Sequence, residues 1–161
     1  MDNNEKSKPC KESEKSKKAT ELFLCGYNCA QAVVGAFASE TGIECETLLK
    51  LASSFGGGMG CLREVCGAVS GMFIIEGILN GYYAADDYDG KKAHYARIRE
   101  LAEEFKNRHK TIICRELLEG IKNEDTPQKR NDEYYKVRPC VRFVKTAAEI
   151  LENHLKDLGN S

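Results

Sequence analysis

The 161-residue chain has no tryptophan, only three prolines, and a formal net charge of −1. So few prolines let helices run without interruption. A near-neutral balance gives no basic field for nucleic acid and no cationic face for an anionic membrane. Long apolar runs are missing as well. The most apolar stretch, 67–81, contains Glu76 and is shorter than the roughly 20 residues that a spanning helix needs. The N-terminal MDNNEKSKPCKESEKSKK is charged from the start and lacks the apolar centre of a secretory signal. These absences point to a soluble, cytoplasmic protein without membrane insertion. No HExxH, paired-carboxylate motif or nucleophile elbow is present, so hydrolase readings have no support.

Cysteine is what the chain has in quantity, with eight residues. The cytosol keeps thiols reduced, which disfavours structural disulfides there. Such a set then serves metal binding or redox chemistry, or fills space as small buried hydrophobes.

Hydrophobic periodicity is helical throughout, and no alternating strand pattern competes. Residues 1–12 form a polar tail holding Cys10, and 13–158 a single helical domain. The expected fold is all-α, a compact bundle of about six helices. Ala19, Leu22 and Phe23 mark a helix over 13–25. Asn28 caps the next, with Gln31 completing a capping box and Gly42 as the stop. A shorter helix covers 44–54. From Cys66 to about Tyr83 the pattern is apolar all round, which predicts a central helix. Its Gly67, Gly71 and Gly77 offer places where another backbone can approach closely. A polar helix over 91–110 turns Ile98, Leu101 and Phe105 inward. Thr111 caps a short helix carrying Cys114, 121–137 reads as an exposed loop, and Pro139 opens the final helix, with Val144, Ala147, Leu151, Leu155 and Leu158 as its stripe.

On that map Cys29, Cys66, Cys114 and Cys140 each fall in the first turn of a predicted helix. Unpaired N–H groups and the positive end of the helix dipole stabilise a thiolate there and lower its pKa. Four thiolates around two ferric ions and two sulfides carry a net charge of −2, and converging helix starts suit such a centre. The four lie far apart in sequence, with no zinc-finger or ferredoxin spacing, so the linear pattern leaves open whether they meet. The glycines of FGGGMGCLREVCG (Gly56, Gly57, Gly58, Gly60 and Gly67) have two readings. They let backbone N–H groups line an anionic site, or they supply the positive φ of a tight interhelical turn. No GK[ST] follows, so the loop is not a Walker loop.

NCAQAV at 28–33, FGGGMG at 55–60 and CGAVSG at 66–71, followed by isolated Cys114 and Cys140, resemble the C_GCAxxG_C_C family. The match runs from about Leu22 to Val144. The family is described as redox-active, is found largely in anaerobic prokaryotes, and includes members encoded near transporters. It is similar to a domain of split-Soret cytochromes c in which cysteines hold an iron–sulfur cluster beside haem. The resemblance implies a helical domain with Cys29, Cys66, Cys114 and Cys140 as the ligands of an iron–sulfur cluster, [2Fe–2S] by expectation, passing electrons to a partner protein. There is no CxxCH, so covalent haem is not expected. Cys25 and Cys61, each a few residues before a family cysteine, are accessory thiols or chance buried cysteines. Arg115, Arg138 and Arg142 flank Cys114 and Cys140 and either tune charge at the site or are ordinary solvated arginines. Two alternatives stand beside the cluster: a metal-free dithiol–disulfide protein, and a non-redox helical interaction module with a structural four-cysteine zinc site. A role as an enzyme, a transporter-associated partner and homo-oligomerisation stay open. Glu76 is expected to reach solvent or to pair with a base. His94 is expected in the core with a hydrogen bond, and His109 and His154 in solvent.

Overall fold

A computed structural model describes residues 13–159, so the tail with Cys10 lies outside the described residues. Among these residues the chain is all-helical, and its only strand-like contact is one antiparallel bridge between Val65 and Ile113. The helices are α1 (Glu14–Leu24), α2 (Cys29–Ala36), α3 (Ala38–Thr41), α4 (Cys45–Ala52), α5 (Gly67–Asn80), α6 (Tyr88–His109), α7 (Cys114–Leu117), α8 (Asp132–Val137) and α9 (Cys140–Asp157). Six of these have eight residues or more, in line with the expected bundle; α3, α7 and α8 are short extras.

Local chemistry explains the starts and stops. The Asn28 side chain accepts from the Gln31 N–H at 2.9 Å, and the Gln31 side chain accepts from the Asn28 N–H at 3.2 Å. This is the predicted capping box, and it fixes where Cys29 begins α2. The helix breaks at Phe37, resumes as α3 and stops at Gly42 with φ 68°. Two caps differ from expectation. Thr111 does not cap α7, because its hydroxyl accepts from the Ile113 N–H and bonds Glu116, leaving Ile113 at the cap. Pro139 is itself the cap of α9, one position before the first turn. The stretch 121–137, read as an exposed loop, contains α8, capped by the Asn131 side chain on the Tyr134 N–H at 2.9 Å.

Helix α2 lies in the middle, packed by α1, α5 and α9. Its Ala30, Ala32, Val33, Val34 and Ala36 are fully buried. Helix α5 comes close to it because two glycines face it. A Cβ on Gly71 would lie 2.9 Å from the Ala30 carbonyl oxygen, and one on Gly67 only 2.8 Å from the Phe55 carbonyl. Gly77 has nothing within 4 Å of that position, so it serves no close approach. One apolar residue assigned to an inward stripe faces out instead: Leu158 is 47% exposed.

Glu76 of α5 is 0% exposed and does not reach solvent. Its carboxylate accepts from Arg97 Nε at 2.8 Å and from Asn80 Nδ2 at 3.0 Å, with His154 Nε2 at 3.1 Å. This cluster pins α5, α6 and α9 together at the end of α5 away from Cys66. His154 is therefore a buried partner of Glu76 and not a solvated residue. His109 is not solvated either: it packs between Phe105 and Phe143 and bonds the Thr146 hydroxyl at 2.9 Å. His94 sits half-buried with Nδ1 3.5 Å from Arg97.

Candidate functional site

Four thiols from four separate helix starts line one cavity. Cys29 opens α2, Cys66 caps α5, Cys114 opens α7 and Cys140 opens α9. All four border a single small space of about 40 Å³, together with Gly57, Gly58 and Gly67. None is in a disulfide. Organic ligands occupy roughly 300–1,000 Å³, so this space suits a few atoms or direct thiol–thiol chemistry.

Backbone hydrogen bonds bring the thiols in. The Val65–Ile113 bridge ties the segment before Cys66 to the segment before Cys114. The Cys66 N–H donates to the Ile112 carbonyl at 2.8 Å, and the Cys114 N–H to the Glu64 carbonyl at 2.6 Å. Helix packing supplies the other pair, since α2 lies against α9. The Cys29 and Cys140 thiols border the same cavity there.

The glycine loop supplies the positive φ of a tight turn, one of the two readings the sequence allowed. Gly57, Gly58 and Gly60 have φ between 60° and 68°, and Met59, Cys61 and Arg63 join them in the left-handed region. Each non-glycine residue there costs roughly 1–2 kcal/mol, and strain of this kind collects at functional sites. The turn carries the chain back so that the Glu64 N–H reaches the Gly58 carbonyl at 3.0 Å. Gly58 also touches the thiol site: a Cβ there would lie 2.6 Å from Cys114 Cβ. Gly56 and Gly60 line a separate, larger groove next door, and Gly57 borders both spaces.

Three guanidiniums, Arg63, Arg130 and Arg138, face the thiol cavity. Of the arginines named from sequence only Arg138 does so, and it is 6% exposed. Arg115 pairs with Glu64 at 3.0 Å on the surface, and Arg142 is exposed on α9. Residues one or two apart on a helix point to different sides, which is why Arg115 and Arg142 miss the pocket. Arg63 and Arg130 escaped the sequence reading. Arg130 arrives from the presumed loop, stacked 4.4 Å over Phe23 and 4.6 Å over Tyr134. No motif marks it; aromatic-rich YY at 134–135 was the available signal.

The thiols do not all respond as helix starts would suggest. Burial pushes Cys66 up to about 12, outweighing N–H donors from Ala68 and Val69. Burial also raises Cys114, against a hydrogen bond and the charge of Arg63. Cys29 rises because it donates to Cys140 and is buried. Cys140 alone falls, to about 7, through that hydrogen bond and then the charges of Arg138, Arg130 and Arg63. In the metal-free protein the Cys29–Cys140 pair therefore shares one proton near neutrality. Elsewhere burial, the largest contribution, overrides the N–H donors and positive charge expected to lower the thiols.

Cys61 lines the neighbouring groove and not the thiol cavity, while Cys25 and Cys45 are exposed. Among the described residues no three His, Cys, Asp or Glu side chains are grouped to hold one ion. No described helix is long and apolar enough to cross a membrane.

A helical scaffold that carries four free thiols into one small guanidinium-walled cavity defines a cysteine-centred class of protein. The chain belongs to the C_GCAxxG_C_C family: that family's model, described as putative redox-active protein, matches residues 27–154. No curated protein and no solved structure matches the chain.

Proposed function

We propose that the four-thiol pocket is a one-electron redox centre, in which Cys29, Cys66, Cys114 and Cys140 hold a [2Fe–2S] cluster and the domain exchanges electrons with a partner protein. The observation that carries this reading is the shared cavity itself. Four thiols from distant parts of the chain border it, and no histidine or carboxylate does. Thiolates are the donors that iron–sulfur clusters take. A single tetrahedral zinc asks four ligands to meet at one ion. A [2Fe–2S] cluster divides its four thiolates two to each iron.

When bound, such a group supplies reversible one-electron transfer. The protein's own residues do the rest. The apolar wall, with Leu117, Leu118 and Phe143, excludes water from the sulfurs. Arg63, Arg130 and Arg138 offset negative charge there, which favours the reduced form. The raised thiols must lose protons on binding, so loading is favoured by higher pH.

A second reading has its own observation: Cys29 and Cys140, opening helices that pack together, share the cavity and push each other's pKa in opposite directions. Oxidation of this pair would join the two sulfurs and release two protons and two electrons to a disulfide substrate. One experiment separates the readings. Protein purified without oxygen is expected to show visible charge-transfer absorption that bleaches with dithionite, with about two irons per chain. Cys29→Ser, Cys66→Ser, Cys114→Ser and Cys140→Ser should each remove the bound species, and Cys25→Ser should not. A colourless, iron-free protein that forms a Cys29–Cys140 disulfide on mild oxidation would replace the first reading with the second.

A further inference from the structure

Next to the thiol cavity lies a groove of about 360 Å³, open to solvent and in the size range of small organic ligands. Asn28, Gly57, Arg63, Arg130, Tyr134 and Arg138 border both spaces. No aspartate or glutamate lines the groove, and none of the three guanidiniums is ion-paired to a carboxylate among the described residues.

Each guanidinium donates to one backbone carbonyl. Arg63 Nη2 donates to the Glu124 carbonyl at 2.8 Å, Arg130 Nη2 to the Tyr27 carbonyl at 3.3 Å, and Arg138 Nη2 to the Lys122 carbonyl at 3.4 Å. Carbonyls hold the groups in place without cancelling their charge. Arg130 and Arg138 also flank one ring, 4.6 Å and 5.3 Å from the centroid of Tyr134. Like charges in one place repel unless something negative joins them. The buried Arg63 Nε and Arg130 Nη1 have no hydrogen-bond partner. An unsatisfied buried donor is costly and points to a missing partner.

The redox centre does not account for all of this charge. Four thiolates, two ferric ions and two sulfides sum to −2, against three guanidiniums. We propose that the groove binds a small organic molecule carrying two or more oxyanion groups, carboxylate or phosphate, held by Arg63, Arg130 and Arg138 beside the thiol centre. Guanidinium forks match both oxyanions. Shared guanidiniums couple the two sites. An anion in the groove makes added negative charge at the centre less favourable, and by linkage the reduced centre weakens the anion. The coupling rests on the redox reading; the binding does not.

The test is a titration of the full chain, prepared without oxygen, with citrate and separately with fructose 1,6-bisphosphate at low ionic strength. Amide shifts are followed by NMR, with glycerol as the neutral control. The expected result is saturable shifts at Asn28, Gly57, Gly60 and Gln128 with at least one of the two anions. Which one responds tells carboxylate from phosphate. Arg130→Gln should weaken that binding about tenfold or more, the loss of one charge-assisted bond. Because Arg130 also packs on Phe23, Gln128→Glu provides a second variant that adds a repelling charge at the groove wall and should weaken it as well. Arg99→Gln, on the exposed face of α6, should not. Groove amides that ignore both anions, or binding indifferent to both groove variants, would overturn the proposal. Iron content and the visible spectrum are recorded on the same sample. A protein that binds an anion but has no redox centre refutes only the earlier reading, and a loaded protein that ignores both anions refutes only this one.

Discussion

Helix α5 carries two glycines whose replacement by alanine should act in opposite directions. Alanine is better than glycine inside a helix by about 1 kcal/mol. At Gly77 nothing lies within 4 Å of the new methyl. Gly77→Ala should therefore gain most of that, roughly 0.5–1 kcal/mol. At Gly71 the methyl would meet the Ala30 carbonyl oxygen at 2.9 Å, Val33 Cβ at 3.0 Å and Ala30 Cα at 3.3 Å. Two of those atoms are helix backbone in α2 and cannot rotate away, so α2 and α5 must separate. Overpacking of this kind costs about 1–3 kcal/mol, and the carbonyl contact puts this case at the upper end. Set against the propensity gain, Gly71→Ala should lose about 1–2 kcal/mol net. For a chain of this length each kcal/mol moves Tm by about 2–4 °C. Thermal unfolding followed by far-ultraviolet circular dichroism should show Gly77→Ala melting about 1–4 °C above the parent and Gly71→Ala about 2–8 °C below it. If both variants rise together, helix propensity alone governs α5, and the close α2–α5 contact does not hold the fold.

Other outcomes follow from the same geometry. Glu76→Ala strands Arg97 and His154; losing one member of a buried pair costs about 3–5 kcal/mol, at the low end here because the Arg97 side chain is 25% exposed, and urea unfolding should show it. Gly58→Ala forces φ 68° on an alanine and drives its methyl toward Cys114; iron retained after anaerobic gel filtration should fall to background while the far-ultraviolet spectrum stays helical. In metal-free protein, ultraviolet thiolate absorbance should show one step near pH 7 from Cys140. Cys29→Ser should leave that step close to pH 7, because its hydroxyl can still donate, whereas Cys29→Ala removes the donor and should shift the step upward toward the usual thiol value.

Much of the scaffold could be read from residue patterns, and the reasons are local. The capping box at Asn28 and Gln31, the stop at Gly42 and the stripe of α9 depend on neighbours a turn away. The gathering of Cys29, Cys66, Cys114 and Cys140 depends on a backbone bridge at Val65–Ile113 and on α2 lying against α9, neither of which leaves a periodic trace. The order of motifs pointed to those four cysteines. Cys66 was expected to ionise easily from its place at a helix start, and burial reversed that. Arg63 and Arg130 were missed for a related reason: one sits on a left-handed turn and the other in a stretch with no regular pattern. His109 and His154 show the reverse error, polar residues assigned to water that the fold draws inward as partners of Thr146 and Glu76.

The last of the four sulfurs rides on the final helix. A ribosome must therefore deliver the chain through Cys140 before the chamber can close, and no stretch that stops short of that residue contains a finished version of it. The order in which the walls of that chamber arrive is thus written into the position of Cys140.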